Sequence, residues 1–247
     1  MTQRLVVITG CSRGLGHAMA QQLLEAGHVV LGISRSAMHF SDPQHHFVGV
    51  QADLAEPHDC HKAQDWLSQQ LRHTSASRVD LIHNAGVLGP MALSHDTALA
   101  DQAAITHALQ INLSAVMSLT ATFLQHTTAV VDRRVLFISS GAGRAPVPGW
   151  AVYGASKAAL DYYAQTLQAE AHPHLRCVAI APGVIDTAMQ QHIRQHSSEQ
   201  FPNVGRFLAL HEQGQLQSPQ ATATQLIDYL ERPDFGAQTL DDIRRYS

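Results

Sequence analysis

The stretch RLVVITGCSRGLGHAMAQQLLEAG, residues 4–27, decides the fold prediction. It begins with a short run rich in β-branched residues, which is typical of a buried parallel strand. A turn containing Gly10, Gly14 and Gly16 follows, and then a helical pattern that ends at Gly27, a residue suited to the left-handed position after a helix. This order predicts the first half of a nucleotide-binding βαβ unit, because glycines let the backbone approach a pyrophosphate at the helix N-terminus.

The rest of the chain repeats this alternation of strand and helix patterns. The first strand covers residues 4–9, and further strands are predicted at 28–34, 47–52, 79–83, 135–139, 176–181 and 237–240. Helices are predicted at 58–71, 98–125, 153–171 and 221–230. Alternating elements imply a parallel sheet with right-handed crossovers. We therefore expect an α/β fold, a Rossmann-type doubly wound parallel sheet of about seven strands with helices on both faces, in a single domain spanning residues 1–247.

Composition narrows the class of protein. Of the 247 residues, 45% are hydrophobic and 15% are charged, which is enough apolar material for a substantial core. The formal net charge of −4 gives no electrostatic reason to expect nucleic acid or an anionic membrane as a partner. No run reaches the roughly 18 to 20 apolar residues of a membrane span, and no secretory signal pattern is present. These features predict a cytoplasmic protein.

Cysteines and histidines do not form a recognised metal motif. The 3 cysteines lack a CxxC pair, as is typical of reduced thiols in the cytosol. The 17 histidines include the pairs His45/His46 and His172/His174, which do not match a zinc or iron spacing. We interpret these histidines as surface residues and predict no metal site.

Two arginines indicate which dinucleotide the glycine-rich turn would bind. The second predicted strand ends at Ser34 and Arg35, where an NAD-binding protein usually carries an acidic residue for the ribose 2′-hydroxyl. No carboxylate lies between His28 and Met38, and Arg13 adds a second cation within the turn. The pattern favours NADP(H), although one of the two arginines could be a solvated surface residue.

Other polar residues follow the predicted strands at the edge where ligands of doubly wound sheets bind. Asp53 and Leu54 come after the third strand, and Asp53 could meet an adenine amino group or cap the helix near Pro57. Asn84, Ala85 and Gly86 follow the fourth strand, and Asn84 is interpreted as partly a structural turn residue.

Ser140, Tyr153 and Lys157 are the candidate catalytic residues. If a helix begins near Tyr153, the i, i+4 spacing places Lys157 on the same face. A free tyrosine has a pKa of about 10, and a nearby ammonium group would lower that pKa toward neutrality. Ser140 could hold a substrate oxygen against the phenol. The trio predicts proton transfer to or from a carbonyl or alcohol oxygen. The alternative is that Tyr153 and Lys157 are only a surface i, i+4 pair on a helix, without a catalytic function.

Several residues are candidates for the substrate side. Trp150 could be a wall of the substrate pocket or a packing aromatic, and the two interpretations remain open. Residues 188–217 are polar and weakly periodic, which favours a lid over the site rather than core. Met189 and Phe207 could line that lid. Asp186 could cap the helix that follows it.

The chain resembles the short-chain dehydrogenase/reductase family along its whole length. The resemblance rests on Thr9-Gly10-x-x-x-Gly14-x-Gly16, Asn84-Ala85-Gly86, Asn112, Ser140, Tyr153-x-x-x-Lys157 and Pro182-Gly183. It implies that Tyr153 is the catalytic acid/base, that Lys157 lowers its pKa and binds the nicotinamide ribose, and that Ser140 orients the carbonyl. It also implies that Asn112 supports a proton-relay water and that Thr187 holds the nicotinamide carboxamide. The resulting cofactor site is Gly10, Ser12, Arg13, Gly14, Leu15, Gly16, Ser34, Arg35, Asp53, Leu54, Asn84, Ala85, Gly86, Tyr153, Lys157, Pro182, Gly183, Ile185 and Thr187.

Within that family the chain resembles sepiapterin reductases and benzil (α-diketone) reductases most, through SRGLG, APGVIDTAMQQHIR, LHEQGQL and DYLERPDFGAQTLDD. Sepiapterin reductases use an aspartate in the last strand to anchor the pterin. Leu240 falls at that position here, with Asp241 one residue later, and a slip of one residue reverses the face of a strand. The substitution favours a diketone over a pterin.

The resemblance implies an NADPH-dependent carbonyl reductase that acts on a ketone or α-diketone, with Tyr153 as proton donor. Two alternatives are a non-catalytic NADP(H)-sensing protein and an alcohol dehydrogenase that works in the oxidative direction. The family also implies a homodimer or homotetramer, built through the helical regions 98–125 and 153–171.

Overall fold

The computed structural model describes residues 3–72 and 74–246. Over these residues, seven parallel strands form one sheet in the order β3-β2-β1-β4-β5-β6-β7. The strands are β1 (Leu5–Thr9), β2 (Val29–Ser34), β3 (Phe47–Gln51), β4 (Arg78–His83), β5 (Asp132–Ile138), β6 (Leu175–Ala181) and β7 (Leu240–Asp242). The predicted Rossmann-type sheet is confirmed.

Helices cover both faces of this sheet. They are α1 (Gly14–Glu25), α2 (Pro57–Leu71), α3 (Gln102–Leu109), α4 (Ala115–His126), α5 (Ala151–Ala169), α6 (Ala188–Arg194), α7 (Val204–Glu212) and α8 (Pro219–Glu231). Alternate strand residues point to opposite faces. On one face Val6, Ile8, Met19, Leu23, Leu226 and Tyr229 form a buried cluster with α1 and α8. On the other face Val7, Leu31, Leu67, Phe123, Phe137 and Leu160 bury α2, α4 and α5.

The strand order reverses between β1 and β4, and this reversal positions the site. The chain runs outward from β1 to β3 and then returns to pair β4 with β1. Connections leave neighbouring strands β1 and β4 in opposite directions, so a crevice opens at their carboxyl ends. The glycine-rich turn after β1 and the Asn84 turn after β4 both lie there.

The region predicted as one helix at 98–125 is interrupted. A 3₁₀ turn at Thr97–Ala100 precedes α3, and a π-helical turn at Gln110–Ser114 separates α3 from α4. A π-turn inserts one residue into the helical ladder, frequently at functional sites, and apolar periodicity does not reveal a single inserted residue. Asn112 lies in this turn.

The C-terminal part of the sheet also differs from the prediction. The last strand is Leu240–Asp242 rather than 237–240, because a turn in which the Ala237 amide bonds to the Asp234 carbonyl occupies the preceding residues. In the region 188–217, α6 and α7 form, and Ile193, Phe201 and Phe207 are buried in an apolar cluster. The segment therefore contributes core as well as polar surface.

Within the described part of the chain, we find no helix with the length and hydrophobicity needed to span a bilayer.

Candidate active site

A single cavity of about 890 Å³ runs along the carboxyl edge of the sheet. Every residue predicted from the sequence to bind cofactor or substrate, or to act in catalysis, lines this cavity except Gly16 and Asn112. The cavity extends from Arg35 after β2 to Phe207 on α7. Residues that are far apart in sequence therefore share one continuous space.

The glycine-rich turn is held against the turn after β4 by Asn84. Its side-chain amide donates hydrogen bonds to the carbonyl oxygens of Thr9 at 3.1 Å and Gly10 at 3.0 Å. Gly10 has a positive φ of 70°, and a Cβ there would lie 2.9 Å from Ala85 Cα. A Cβ on Gly16 would lie 2.4 Å from the Asn84 amide nitrogen. Gly16 thus permits close packing behind the cavity wall. The contacts of Asn84 with the glycine-rich turn agree with the structural role predicted for it.

The two predicted NADP-selecting arginines lie at one end of the cavity. Arg13 is exposed, and the Arg35 side chain is 60% exposed with Nη1 3.7 Å from a carboxylate oxygen of Asp53. Beneath them the Ser34 hydroxyl donates to the Ser12 hydroxyl at 2.8 Å. This end of the cavity is therefore rich in cations and hydroxyl groups.

Asp53 does not cap α2, so that interpretation was wrong. The N-cap residue of α2 is Glu56, three residues further on. Asp53 instead accepts a hydrogen bond from the amide of Ala55 at 3.0 Å, which closes a local turn after β3.

Tyr153 and Lys157 lie in the first two turns of α5, as predicted. The Lys157 ammonium group donates to the carbonyl oxygen of Ile138 at 2.8 Å and lies 5.8 Å from the centroid of the Tyr153 ring. Ser140 lies two residues after the end of β5, and its hydroxyl accepts a hydrogen bond from the Ala142 amide at 3.2 Å. The helix and the strand end therefore bring the three side chains to one wall of the cavity.

The pKa of the phenol differs from the sequence expectation. Burial raises the pKa of Tyr153, and a hydrogen bond with Ser140 opposes that rise. Burial also lowers the pKa of Lys157 to about 8, opposed by the negative charge of Asp161. Desolvation disfavours the charged form of each group, so here it outweighs the expected effect of the cation on the phenol. Tyr153 therefore keeps its proton at neutral pH.

Asn112 is completely buried and has its hydrogen-bonding groups occupied. Its side-chain oxygen accepts from the Val87 amide at 2.9 Å, and its nitrogen donates to the Val87 carbonyl at 2.8 Å and to Ser156 Oγ at 3.0 Å. The hydrogen-bonding reason expected for a polar residue among apolar neighbours is thus confirmed. The contacts hold the chain after Gly86 against α5.

The opposite end of the cavity is aromatic. The Trp150 ring stacks on Phe201 with centroids 4.9 Å apart, and it lies 5.4 Å from the rings of both Phe207 and Tyr153. Both interpretations of Trp150 therefore hold, since it packs in a buried cluster and also lines the cavity. Phe201 was not singled out from the sequence, because it lies in a polar segment without helical periodicity.

Neither residue at the pterin-anchoring position faces the cavity. Asp241 is buried and accepts hydrogen bonds from the phenols of Tyr229 at 2.8 Å and Tyr246 at 2.6 Å. Leu240 packs against the apolar cluster on the opposite face of the sheet. The alternation of side chains along β7 thus turns the carboxylate toward α8 and away from the cavity.

Asp186 does not cap α6, so this interpretation was also wrong. The N-cap residue is Thr187. A carboxylate oxygen of Asp186 instead lies 3.8 Å from Nη2 of Arg194, the last residue of α6. The Thr187 side chain lines the cavity.

A doubly wound parallel sheet with a glycine-rich turn and a cavity at its switch point defines a Rossmann-type nucleotide-binding protein. The chain belongs to the short-chain dehydrogenase family, whose model matches residues 4–198. It is therefore an oxidoreductase, and the family uses nicotinamide cofactors. The predicted family membership is confirmed.

Curated relatives include both subgroups expected from the sequence. The chain is 38% identical over 245 residues to a benzil reductase ((S)-benzoin forming) of Bacillus cereus, with 94% of this chain and 96% of that protein covered. It is 31% identical to the sepiapterin reductase of Rattus norvegicus, with 93% and 92% covered.

Solved structures show the same fold. The KRED1-Pglu enzyme superposes with a TM-score of 0.79 at 31% identity, covering 96% of this chain and 99% of that one. A short-chain dehydrogenase/reductase from Saccharomyces cerevisiae superposes with a TM-score of 0.81 at 26% identity, covering 97% and 96%.

Proposed function

We propose that this protein is an NADPH-dependent carbonyl reductase that reduces a ketone or an α-diketone such as benzil. The observation that carries the proposal is the position of Ser140, Tyr153 and Lys157 on one wall of a single cavity, between a cationic end and an aromatic end. The identity to benzil reductases supports the choice of substrate class.

The residues at the cationic end fit a dinucleotide with a 2′-phosphate. Gly10 lets the backbone approach the turn after β4 closely, and the chain offers Arg13 and Arg35 where a ribose would lie. Arg35 is held by Asp53 at a distance of 3.7 Å, which leaves most of its guanidinium exposed for a phosphate. Pro182, Gly183, Ile185 and Thr187 would hold the nicotinamide end.

Bound NADPH would supply the hydride, and the chain would orient the substrate and deliver the proton. Ser140 and Tyr153 would both hydrogen-bond the carbonyl oxygen, which stabilises the negative charge that develops on it. Tyr153 would then donate its phenolic proton to that oxygen. A phenol whose pKa is raised by burial is protonated at neutral pH, which suits an acid in the reductive direction.

Lys157 and Asn112 would support return of the proton to Tyr153. A Cβ placed on Gly86 would lie 3.4 Å from the Asn112 side-chain oxygen and 3.5 Å from the Lys157 nitrogen, so both groups approach one point. Asn112 lies behind the cavity wall and would act by holding the Val87 backbone in place.

The aromatic end favours a diketone over a pterin. Trp150, Met189 and Phe207 offer apolar and aromatic surface, whereas the carboxylate of Asp241 is directed to the other side of β7. A pterin would need a partner for its ring amine, and an aromatic diketone has no such group. Residues 188–217 would close over this end as a lid.

We also propose a cytoplasmic homodimer or homotetramer of single-domain subunits. On α4 and α5 the large side chains of Met117 and Tyr162 are 43% and 73% exposed, and they would meet a second copy of the chain.

The test measures the rate of cofactor oxidation with NADPH and with NADH, each in the presence of different carbonyl compounds. We expect the purified protein to oxidise NADPH in the presence of benzil, to use NADH poorly, and to leave sepiapterin unchanged. Tight NADPH binding without turnover of any carbonyl compound would favour a redox sensor instead. Faster oxidation of benzoin with NADP⁺ than reduction of benzil would favour an alcohol dehydrogenase.

A further inference from the structure

Three consecutive residues at the end of β5 contact three successive turns of α5. The Ile138 carbonyl accepts from Lys157, the Ser139 hydroxyl donates to Asp161, and Ser140 lies close enough to Tyr153 to lower the pKa of its phenol. Since Tyr153, Lys157 and Asp161 follow one another at intervals of four residues, they share one face of the helix. Asp161 therefore extends the row of catalytic side chains by one turn.

The Asp161 carboxylate is buried and fully hydrogen-bonded. Its side chain is 6% exposed, one oxygen accepts from Ser139 and the other from Arg144 Nε at 2.9 Å. Arg144 in turn donates to the carbonyl oxygens of Asp241 at 2.8 Å and Ala179 at 2.9 Å. A buried charge compensated in this way is costly to disturb, so the network is well defined.

We propose that Asp161 is a positioning residue for proton transfer, which keeps Lys157 protonated and aligns the end of β5 with α5. This inference rests on the proposed function of the cavity. Asp161 does not line the cavity, so it acts through Lys157 and Ser139 rather than on the substrate.

The charges around Lys157 explain why this carboxylate matters. Tyr153 and Asp161 face it from α5, the neutral ring of His83 faces it from β4, and Arg144 lies behind Asp161. Burial lowers the pKa of Lys157 and the Asp161 charge raises it again. Removal of that charge would lower the pKa of Lys157 further, so a larger share of the amine would be uncharged near neutral pH.

The chain allows a direct measurement of this effect. Its only lysines are Lys62 and Lys157, so lysine labelled at Cε with an NMR-active carbon isotope yields two side-chain signals. Lys62 is exposed on α2 and serves as an internal reference. In Asp161→Asn we expect the pKa of Lys157 to fall by roughly 1–3 units, whereas the Lys62 signal should behave as it does in the wild type. An unchanged Lys157 titration in the folded variant would overturn the proposal.

A second variant reverses the sign and serves if Asp161→Asn does not fold. Arg144→Gln removes the cation that shares the Asp161 carboxylate, so the pKa of Lys157 should rise; a fall or no change would contradict the proposal. Asp241→Asn is the matched control, because it neutralises another buried carboxylate that faces α8. If it moved the Lys157 titration as much as Asp161→Asn, the effect would not be specific.

The pH dependence of kcat provides an independent measurement. In Asp161→Asn the loss of kcat at alkaline pH should begin at lower pH, by the same shift that the lysine titration shows. A wild-type protein inactive toward every carbonyl compound would refute the proposed function, whereas the lysine titration would still test Asp161 independently.

Discussion

The Lys157 ammonium group donates a hydrogen bond to the main-chain carbonyl of Ile138 across 2.8 Å, which ties the helix that carries Tyr153 to the strand that precedes Ser140. The two residues are separated by 19 positions in the sequence. Because this bond joins α5 to the end of β5, the spacing between Ser140 and Tyr153 is set by the packing of α5 against β5. The site therefore depends on a junction between two rigid elements rather than on a loop.

Tyr153→Phe should remove most turnover and leave NADPH affinity nearly unchanged. The phenol is the proposed acid, and loss of a positioned acid typically costs about 10²- to 10⁴-fold in kcat. Steady-state kinetics with benzil and a fluorescence titration of NADPH would measure the two effects. Tyr162→Phe is the control, since Tyr162 is 73% exposed on the same helix. Full activity in Tyr153→Phe would eliminate the proposed role.

Arg35→Ala should weaken NADPH much more than NADH. A charge-assisted hydrogen bond to a phosphate contributes about 1.5–3 kcal/mol, so a loss of about ten- to a hundred-fold in NADPH affinity is expected. NADH lacks the 2′-phosphate and should be affected little. Dissociation constants for both cofactors would decide the matter, with Arg72→Ala, another exposed arginine, as control. Equal losses for the two cofactors would exclude a phosphate role for Arg35.

Trp150→Ala should lower both stability and selectivity. Truncation of a buried tryptophan costs about 3–5 kcal/mol, and here it would remove the stack on Phe201. The KM for benzil should rise more than the KM for butane-2,3-dione, because the small diketone does not fill the aromatic end. Thermal melts and kinetics with both substrates measure these effects. Trp66→Phe, outside the cavity, should leave the ratio of the two KM values unchanged. In Trp150→Ala, a rise of the same proportion in both KM values would argue against a substrate contact at Trp150.

Acid should destabilise the protein through His83. The ring is buried against Phe137 and bonds to Thr120, and burial lowers the pKa of His83 to about 3. An unfolded histidine titrates near 6.5, so below about pH 6.5 the unfolded chain binds a proton that the folded chain does not. The contribution of neutral His83 to the free energy of unfolding is therefore fully present above that pH, and it falls by about 1.4 kcal/mol per pH unit below it.

Urea unfolding at about pH 7 and about pH 5.5 would measure this loss. His83→Gln removes the titrating group while it retains hydrogen-bonding capacity toward Thr120. The variant should lose less stability between the two pH values than the wild type does. An identical loss in both proteins would assign the acid sensitivity to other groups.

Local patterns were sufficient to predict most of the sheet. The runs at β1 and β2 are short and apolar, and buried parallel strands need little else to be recognised. The π-turn at Asn112 was not predictable in this way, because one inserted residue hardly changes an apolar pattern. The burial of Ile193 and Phe201 was not predicted either, because both residues lie in a segment whose composition is polar.

Within the site, spacing along one helix was enough to pair Tyr153 with Lys157. Asp161 follows at the same interval and could have been found by extending that spacing by one turn. The positioning role that we propose for Asp161 was not visible in the sequence, because an acid at that position is equally compatible with a solvated helix face. The partners Ser139 and Arg144, which bury it, come from another part of the chain.

The sequence by itself determined the order of the seven strands, the glycine-rich turn and the family, because these depend on short-range pattern and on residue types at fixed spacings. The tertiary structure alone decided the protonation of Tyr153 and Lys157, the direction of Asp241 and the aromatic end of the cavity. Each of these depends on what surrounds a side chain in space. Desolvation and opposing charges act over a few ångströms through neighbours that lie far away along the chain.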